Sequence, residues 1–81
     1  MVLELRVRLT YPQDLLDQPL IYRLIQQFGL LTNILEARVG PEGGWLVVAV
    51  HGEEEKVRQG LDWMAGQGVQ VDFLDEEKED P

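Results

Sequence analysis

Apolar and polar side chains alternate along the first ten residues, as they do in a strand with one buried face. Three further apolar runs, each bounded by turn-forming residues, also favour extended structure. The predicted strands are residues 2–10, 30–39, 45–51 and 69–74. Apolar residues recur at every third or fourth position in two other segments, which is the spacing of a helix with one buried face. The predicted helices are residues 19–28 and 53–65.

Residues near the ends of the predicted helices are of types that start, cap or end a helix. Pro19 stands at the first helical position, where its missing N–H costs nothing, and Asp17 lies just ahead of it as a candidate cap. Gly29 follows the first helix and can end it, because glycine readily adopts the left-handed conformation. Gly60 lies inside the second helix, which we interpret as a close approach of that helix to the sheet.

The order of these elements is βαββαβ, and the Gly- and Pro-rich segment 40–44 joins the second and third strands as a hairpin. Two βαβ halves joined in this way indicate a ferredoxin-like α+β sandwich, with a four-stranded antiparallel sheet and two helices on one face. The predicted domain covers residues 1–74. Residues 75–81 are interpreted as a disordered acidic tail, since residues 75–80 carry five acidic side chains and one lysine.

The length, charge and composition of the chain exclude or disfavour several classes of function. With 81 residues the chain forms one small domain, and its formal net charge of −8 disfavours binding to nucleic acid or to an anionic membrane. No apolar run is long enough to span a membrane. The chain has no cysteine, which excludes disulfides and thiolate-bound metals and fits a cytoplasmic location. No cofactor and no metal site are predicted.

The third strand is apolar on both of its faces. Trp45, Val47 and Ala49 alternate with the apolar residues that would face the helices, and Ile34 is assigned to the same outward face. A strand of this kind is usually covered on both sides, so these four residues predict an interface in a homodimer or a higher homo-oligomer. The alternative is that Trp45 folds over the sheet edge and the remaining exposure is tolerated.

Few residues could carry chemistry. The chain has no serine, and its single histidine, His51, lies at the end of the third strand with no second metal ligand placed near it by the sequence. We therefore predict that the domain is not an enzyme, and a small enzyme that uses His51 is the least favoured hypothesis. Asn33 can read the ammonium and carboxylate groups of an amino acid, or it can close the turn after the first helix, and the residues alone favour neither.

Residues 33–35 read Asn-Ile-Leu, and the chain around them resembles the NIL domain. The resemblance extends over about residues 3–74. Its further elements are Asp17-Gln18-Pro19-Leu20-Ile21, Phe28-Gly29-Leu30, Gly44-x-Leu46-x-Val48-x-Val50-x-Gly52 and Gly68-Val69-x-Val71. NIL domains are ACT-like regulatory modules of methionine ABC transporter ATPases, which pair with a second copy and bind methionine near the interface. Unlike those ATPases, this chain has no P-loop, so the resemblance implies a stand-alone domain that either regulates a separate protein or has lost its regulatory role.

The resemblance therefore implies a homodimer that binds methionine or a related amino acid. Asn33 would contact the polar end of the ligand. Ile34, Leu35 and the helix start at Pro19 and Leu20 would line the pocket. The implied partner is a separate transporter ATPase or a sulfur-metabolism enzyme. The alternative hypothesis is a ligand-free interaction module that docks a partner through its outer sheet face.

Overall fold

Four strands and two helices follow one another in the predicted βαββαβ order. The computed structural model describes the backbone of residues 1–79 and the side chains of residues 1–77. A short 3₁₀ turn, Gln13–Leu15, separates the first strand from the first helix. The strands are β1 (Val2–Pro12), β2 (Leu31–Gly40), β3 (Gly43–Glu53) and β4 (Gln70–Glu79), and the helices are α1 (Leu20–Phe28) and α2 (Glu54–Gly66).

The strands form one antiparallel sheet in the order β2-β3-β1-β4. β1 and β3 are therefore central, and β2 and β4 are the edges. The helices pack on one face of this sheet, which confirms the predicted ferredoxin-like sandwich and leaves the other face, called the outer face below, uncovered by helices. Neither helix of the described residues is long and apolar enough to cross a membrane.

The core lies between the sheet and the helices. Alternate residues of β1 point into it, and Leu3, Val7 and Leu9 are wholly inaccessible to solvent. Each such side chain stabilises the fold by roughly 1.5–3 kcal/mol relative to exposure. Gly60 lets α2 lie close to α1, because a Cβ atom there would stand 2.8 Å from Leu24 Cδ1. The close approach at Gly60 is therefore to α1 and not, as predicted, to the sheet.

The ends of the elements differ in part from the sequence predictions. Gly29 does end α1, with a φ of 65°. The prediction that Asp17 caps α1 is wrong, because Pro19 is the N-cap residue and no side chain caps the helix. β3 continues to Glu53, beyond its predicted end at residue 51. Helix α2 therefore starts at Glu54.

The last strand is longer than predicted. β4 continues beyond residue 74 and pairs with the first half of β1, where Asp75 lies opposite Arg6 and Glu77 lies opposite Glu4. Arg58 of α2 holds this extension with a 3.0 Å ion pair to Glu76. Residues 75–79 are thus part of the sheet rather than of a disordered tail. Residues 80–81 of the predicted tail lie outside the described residues.

An irregularity in β2 changes which of its side chains share a face. Ile34 pairs with Val48 and Glu36 pairs with Val47, so Leu35 is an extra residue in this strand. Val48 is buried under the helices, which places Ile34 on the helix side of the sheet. The prediction that Ile34 faces outward is therefore wrong. Strict alternation along β2 fails at this bulge.

Candidate functional site

The central strands bring charged and apolar side chains together on the outer face. Glu4 of β1 lies opposite His51 of β3, and Arg6 lies opposite Ala49. On the other side of β3, Asn33 of β2 also pairs with Ala49. Since residues paired across antiparallel strands share a face, Asn33, Ala49 and Arg6 form one row across three strands.

A shallow cavity of about 410 Å³ lies over this row, and we call it the Asn33 dish. Its polar side chains differ in character, with a carboxylate, a guanidinium, a carboxamide and an imidazole. Its apolar side chains come mainly from β2. The lining residues are Glu4, Arg6, Leu31, Thr32, Asn33, Leu35, Ala49 and His51.

The two charged groups of the dish are free to meet a ligand. The ion pairs between described groups are those of Met1 with Glu53 and of Arg58 with Glu54 and Glu76, so neither Glu4 nor Arg6 takes part in one. Opposite charges that stand in one concave site can compensate the two charges of a zwitterion. The exposed leucines beside them offer contact to an apolar side chain.

The sheet separates the residues predicted to bind a ligand. Asn33 and Leu35 line the dish on the outer face. Pro19 and Leu20 instead line a cavity of about 200 Å³ on the helix side, called the α1 cavity below. Ile34 lines neither cavity. Within one copy of the chain these five residues therefore do not form a single pocket.

Of the four residues predicted to form the dimer interface, the three on β3 are less exposed than their composition suggests, whereas Ile34 is 54% exposed. Ala49 is buried, and Trp45 and Val47 are half-buried. The guanidinium of Arg8 lies over the Trp45 ring, 5.2 Å from its centroid, and so covers part of this patch. The large exposed apolar side chains lie mainly on the edge strands, where Leu31 of β2 is 70% exposed and Phe73 of β4 is 63% exposed.

Sequence reasoning did not include Glu4 and Arg6 among the site residues. A signal for them was present, because their alternation with Leu3, Leu5 and Val7 assigns them to the face away from the helices. In a ferredoxin-like sheet β1 lies beside β3, so that face continues from Arg6 through β3 to Asn33. Fold topology combined with alternation was therefore enough to place Glu4 and Arg6 on the outer face beside β3, whereas Asn33 joins this row only because of the bulge at Leu35.

Comparison with protein families gives a match to the NIL domain over residues 5–72, which is most of the chain. Two methionine import ATP-binding proteins, from Cupriavidus metallidurans and Enterococcus faecalis, are each 33% identical over 72 residues. The match covers 84% of this chain but only 21% and 20% of theirs, so the chain spans about a fifth of their length. An uncharacterized protein from Synechococcus elongatus is 38% identical over 60 residues, covering 70% of this chain and 74% of that protein.

Solved structures support the same fold. The C-terminal domain of an ABC transporter ATP-binding protein from Enterococcus faecalis superposes with a TM-score of 0.79 at 18% identity, covering 86% of this chain and 82% of that one. A de novo designed protein superposes with a TM-score of 0.62 at 10% identity, over 99% and 100% of the two chains. With the family match over residues 5–72, the chain belongs to the NIL domain family.

Proposed function

We propose that this NIL domain is a regulatory module that binds a zwitterionic amino acid in the Asn33 dish, with methionine as the first candidate. The carrying observation is that Glu4 and Arg6 flank Asn33 without an ion pair to any described group. A site that holds two charges of opposite sign, neither of them in an ion pair with a described group, is complementary to an ammonium and a carboxylate. The names of the two methionine import relatives support methionine in particular.

Each group of the ligand has a counterpart in the dish. The Arg6 guanidinium would bind the carboxylate, since its parallel N–H groups suit a planar anion. Glu4 would bind the ammonium group, and the Asn33 carboxamide can donate to the carboxylate and accept from the ammonium. The thioether side chain would lie on Leu31 and Leu35, which are 70% and 48% exposed.

The proposal includes a second copy of the chain. The dish is open, so a ligand within it would keep much of its surface in water, and a covering surface would make binding tighter. Leu31 and Leu35 on edge strand β2 border the dish and provide apolar surface to such a partner copy. The homodimer would then bind the amino acid near its interface and signal to a transporter ATPase or to a sulfur-metabolism protein.

Isothermal titration calorimetry with L-methionine tests the proposed ligand. Asn33→Ala and Arg6→Gln should each weaken binding at least about tenfold, because each removes a hydrogen bond to a charged group. Arg38→Gln is the matched control, since Arg38 also lies on the outer face but outside the dish. N-acetyl methionine, which lacks the ammonium charge, should bind more weakly than methionine. Absence of heat at millimolar methionine, or unchanged binding in both dish variants, contradicts the proposal.

A ligand-free interaction module remains the second candidate, supported by the apolar side chains exposed on both edges of the sheet. Light scattering separates the two surfaces that could pair. Trp45→Glu tests the patch predicted from the sequence, and Leu31→Glu tests the edge beside the dish. If the chain is a dimer that neither variant dissociates, and methionine does not bind, the outer face is better explained as a docking site for a different protein.

A further inference from the structure

Tyr11 carries a buried hydroxyl group that the fold does not use. The residue lies near the end of β1 on the helix side and is only 8% exposed. Its Oη atom is inaccessible to solvent and has no hydrogen-bond partner within the part of the chain that the structure describes. Buried hydroxyls in folded proteins are almost always hydrogen-bonded, because leaving one unpaired is costly. An unpaired hydroxyl at this depth therefore calls for a partner from outside the chain.

The α1 cavity supplies a place for that partner. Tyr11 forms part of its wall, together with Leu16, Pro19 and Leu20 near the start of α1. Its volume of about 200 Å³ has room for a small organic molecule, and a wider depression at the β2–β3 hairpin adjoins it, with Tyr11 and Val39 in both linings. The hydroxyl and the cavity thus occupy the same region of the helix side.

The lining of the α1 cavity defines the class of ligand. Among the described residues it contains no charged side chain, and most of those that line it are apolar. A zwitterion or a phosphate would lose its hydration there without compensation, so the α1 cavity is unsuited to the ligand proposed for the Asn33 dish. A small uncharged molecule with one hydrogen-bonding group loses little and can satisfy the Tyr11 hydroxyl.

We infer that the α1 cavity is a second binding site, which takes a small, uncharged, mainly apolar molecule whose single polar atom hydrogen-bonds to Tyr11 Oη. The apolar part of the ligand fills the space against Leu16 and Leu20. Because Tyr11 Oη is closed to solvent, binding requires a neighbouring side chain of the cavity wall to move aside. The site lies across the sheet from the Asn33 dish and does not depend on methionine binding.

Phenol and benzene are suitable probes, because they have nearly the same shape and differ by one hydroxyl group. Leu16, Leu20 and Tyr22 all line the α1 cavity. Titrations followed by amide chemical shifts should place both probes beside these three residues, with phenol bound more tightly. Tyr11→Phe removes only the protein hydroxyl. This variant should weaken phenol binding about fivefold to tenfold, the worth of one hydrogen bond, and leave benzene binding unchanged.

A second variant closes the site from the surface. Val39 lines the α1 cavity and is 65% exposed on edge strand β2, so Val39→Trp can obstruct the cavity while leaving the core intact. This variant should abolish the phenol-induced shifts at Leu20 and Tyr22. The inference is overturned if phenol shifts no resonance near the cavity at near-saturating concentration. It is also overturned if Tyr11→Phe binds phenol as tightly as the wild type.

Discussion

Burial of the Tyr11 phenol makes the stability of this domain sensitive to alkaline pH. Desolvation raises the pKa of Tyr11 from 10.0 to about 12 in the folded chain. Between these two values the unfolded chain releases the phenolic proton while the folded chain retains it. Raising the pH therefore favours unfolding. Ionisation of Tyr11 does not lower the folding stability below pH 10, and it lowers that stability progressively as the pH rises towards 12.

The size of this effect follows from the two pKa values. Each pKa unit corresponds to about 1.4 kcal/mol, so the difference between 10.0 and about 12 is worth roughly 2–3 kcal/mol. Small domains have a free energy of unfolding of about 5–15 kcal/mol, so the loss is a substantial fraction of the total. Tyr11→Phe has no proton to lose at this position and should escape this part of the alkaline destabilisation.

Urea denaturation measures the free energy of unfolding of the wild type and of Tyr11→Phe. The two proteins are compared at or below pH 10 and again near pH 12. Below pH 10 the variant should be more stable by about 1 kcal/mol, because it no longer buries an unpaired hydroxyl. Its advantage should grow by roughly 2 kcal/mol at the alkaline end. Tyr22→Phe is the control, since Tyr22 is 62% exposed. If wild type and Tyr11→Phe lose stability equally, the argument from burial is refuted.

Two further predictions concern packing. In a thermal unfolding assay, Gly60→Ala should lower the free energy of unfolding by about 1–2 kcal/mol, because its Cβ atom would lie 2.8 Å from Leu24 Cδ1. Gly66→Ala is the control and should be neutral or stabilising, because no atom lies within 4 Å of a Cβ atom there. A stabilised Gly60→Ala would contradict the tight packing of α1 on α2. Arg8→Gln should increase the accessibility of Trp45 to a fluorescence quencher when Trp63 is replaced by Phe, and unchanged quenching would show that Arg8 does not shield the ring.

The fold was predictable because its elements have simple periodicities. Alternation over β1 and the helical spacing from Leu20 to Phe28 specify which side chains enter the core, and the Gly-rich hairpin then leaves few topologies. Of the five residues predicted to bind a ligand, Asn33 and Leu35 line the dish. Glu4 and Arg6 were missed because they look like ordinary surface residues until β1 is placed beside β3.

Other features depended on packing that no local pattern encodes. The bulge at Leu35 reverses the alternation of β2, which moved Ile34 to the opposite face from the one predicted. The extension of β4 is strongly acidic, yet it pairs with β1, and Glu76 within it forms an ion pair with Arg58. The unpaired hydroxyl of Tyr11 is visible only when the surrounding atoms are placed, because the alternation of β1 marks it simply as an inward aromatic residue.

The pairing of β4 with the start of β1 also fixes where the two described ends of the backbone lie. Val2 is opposite Glu79 in this ladder, and Glu4, a lining residue of the Asn33 dish, is only two residues further along β1. At about 3.3 Å per residue, the dish begins roughly 7 Å from that corner of the sheet. A fluorophore attached at the amino terminus would therefore stand beside the dish and could report its occupancy directly.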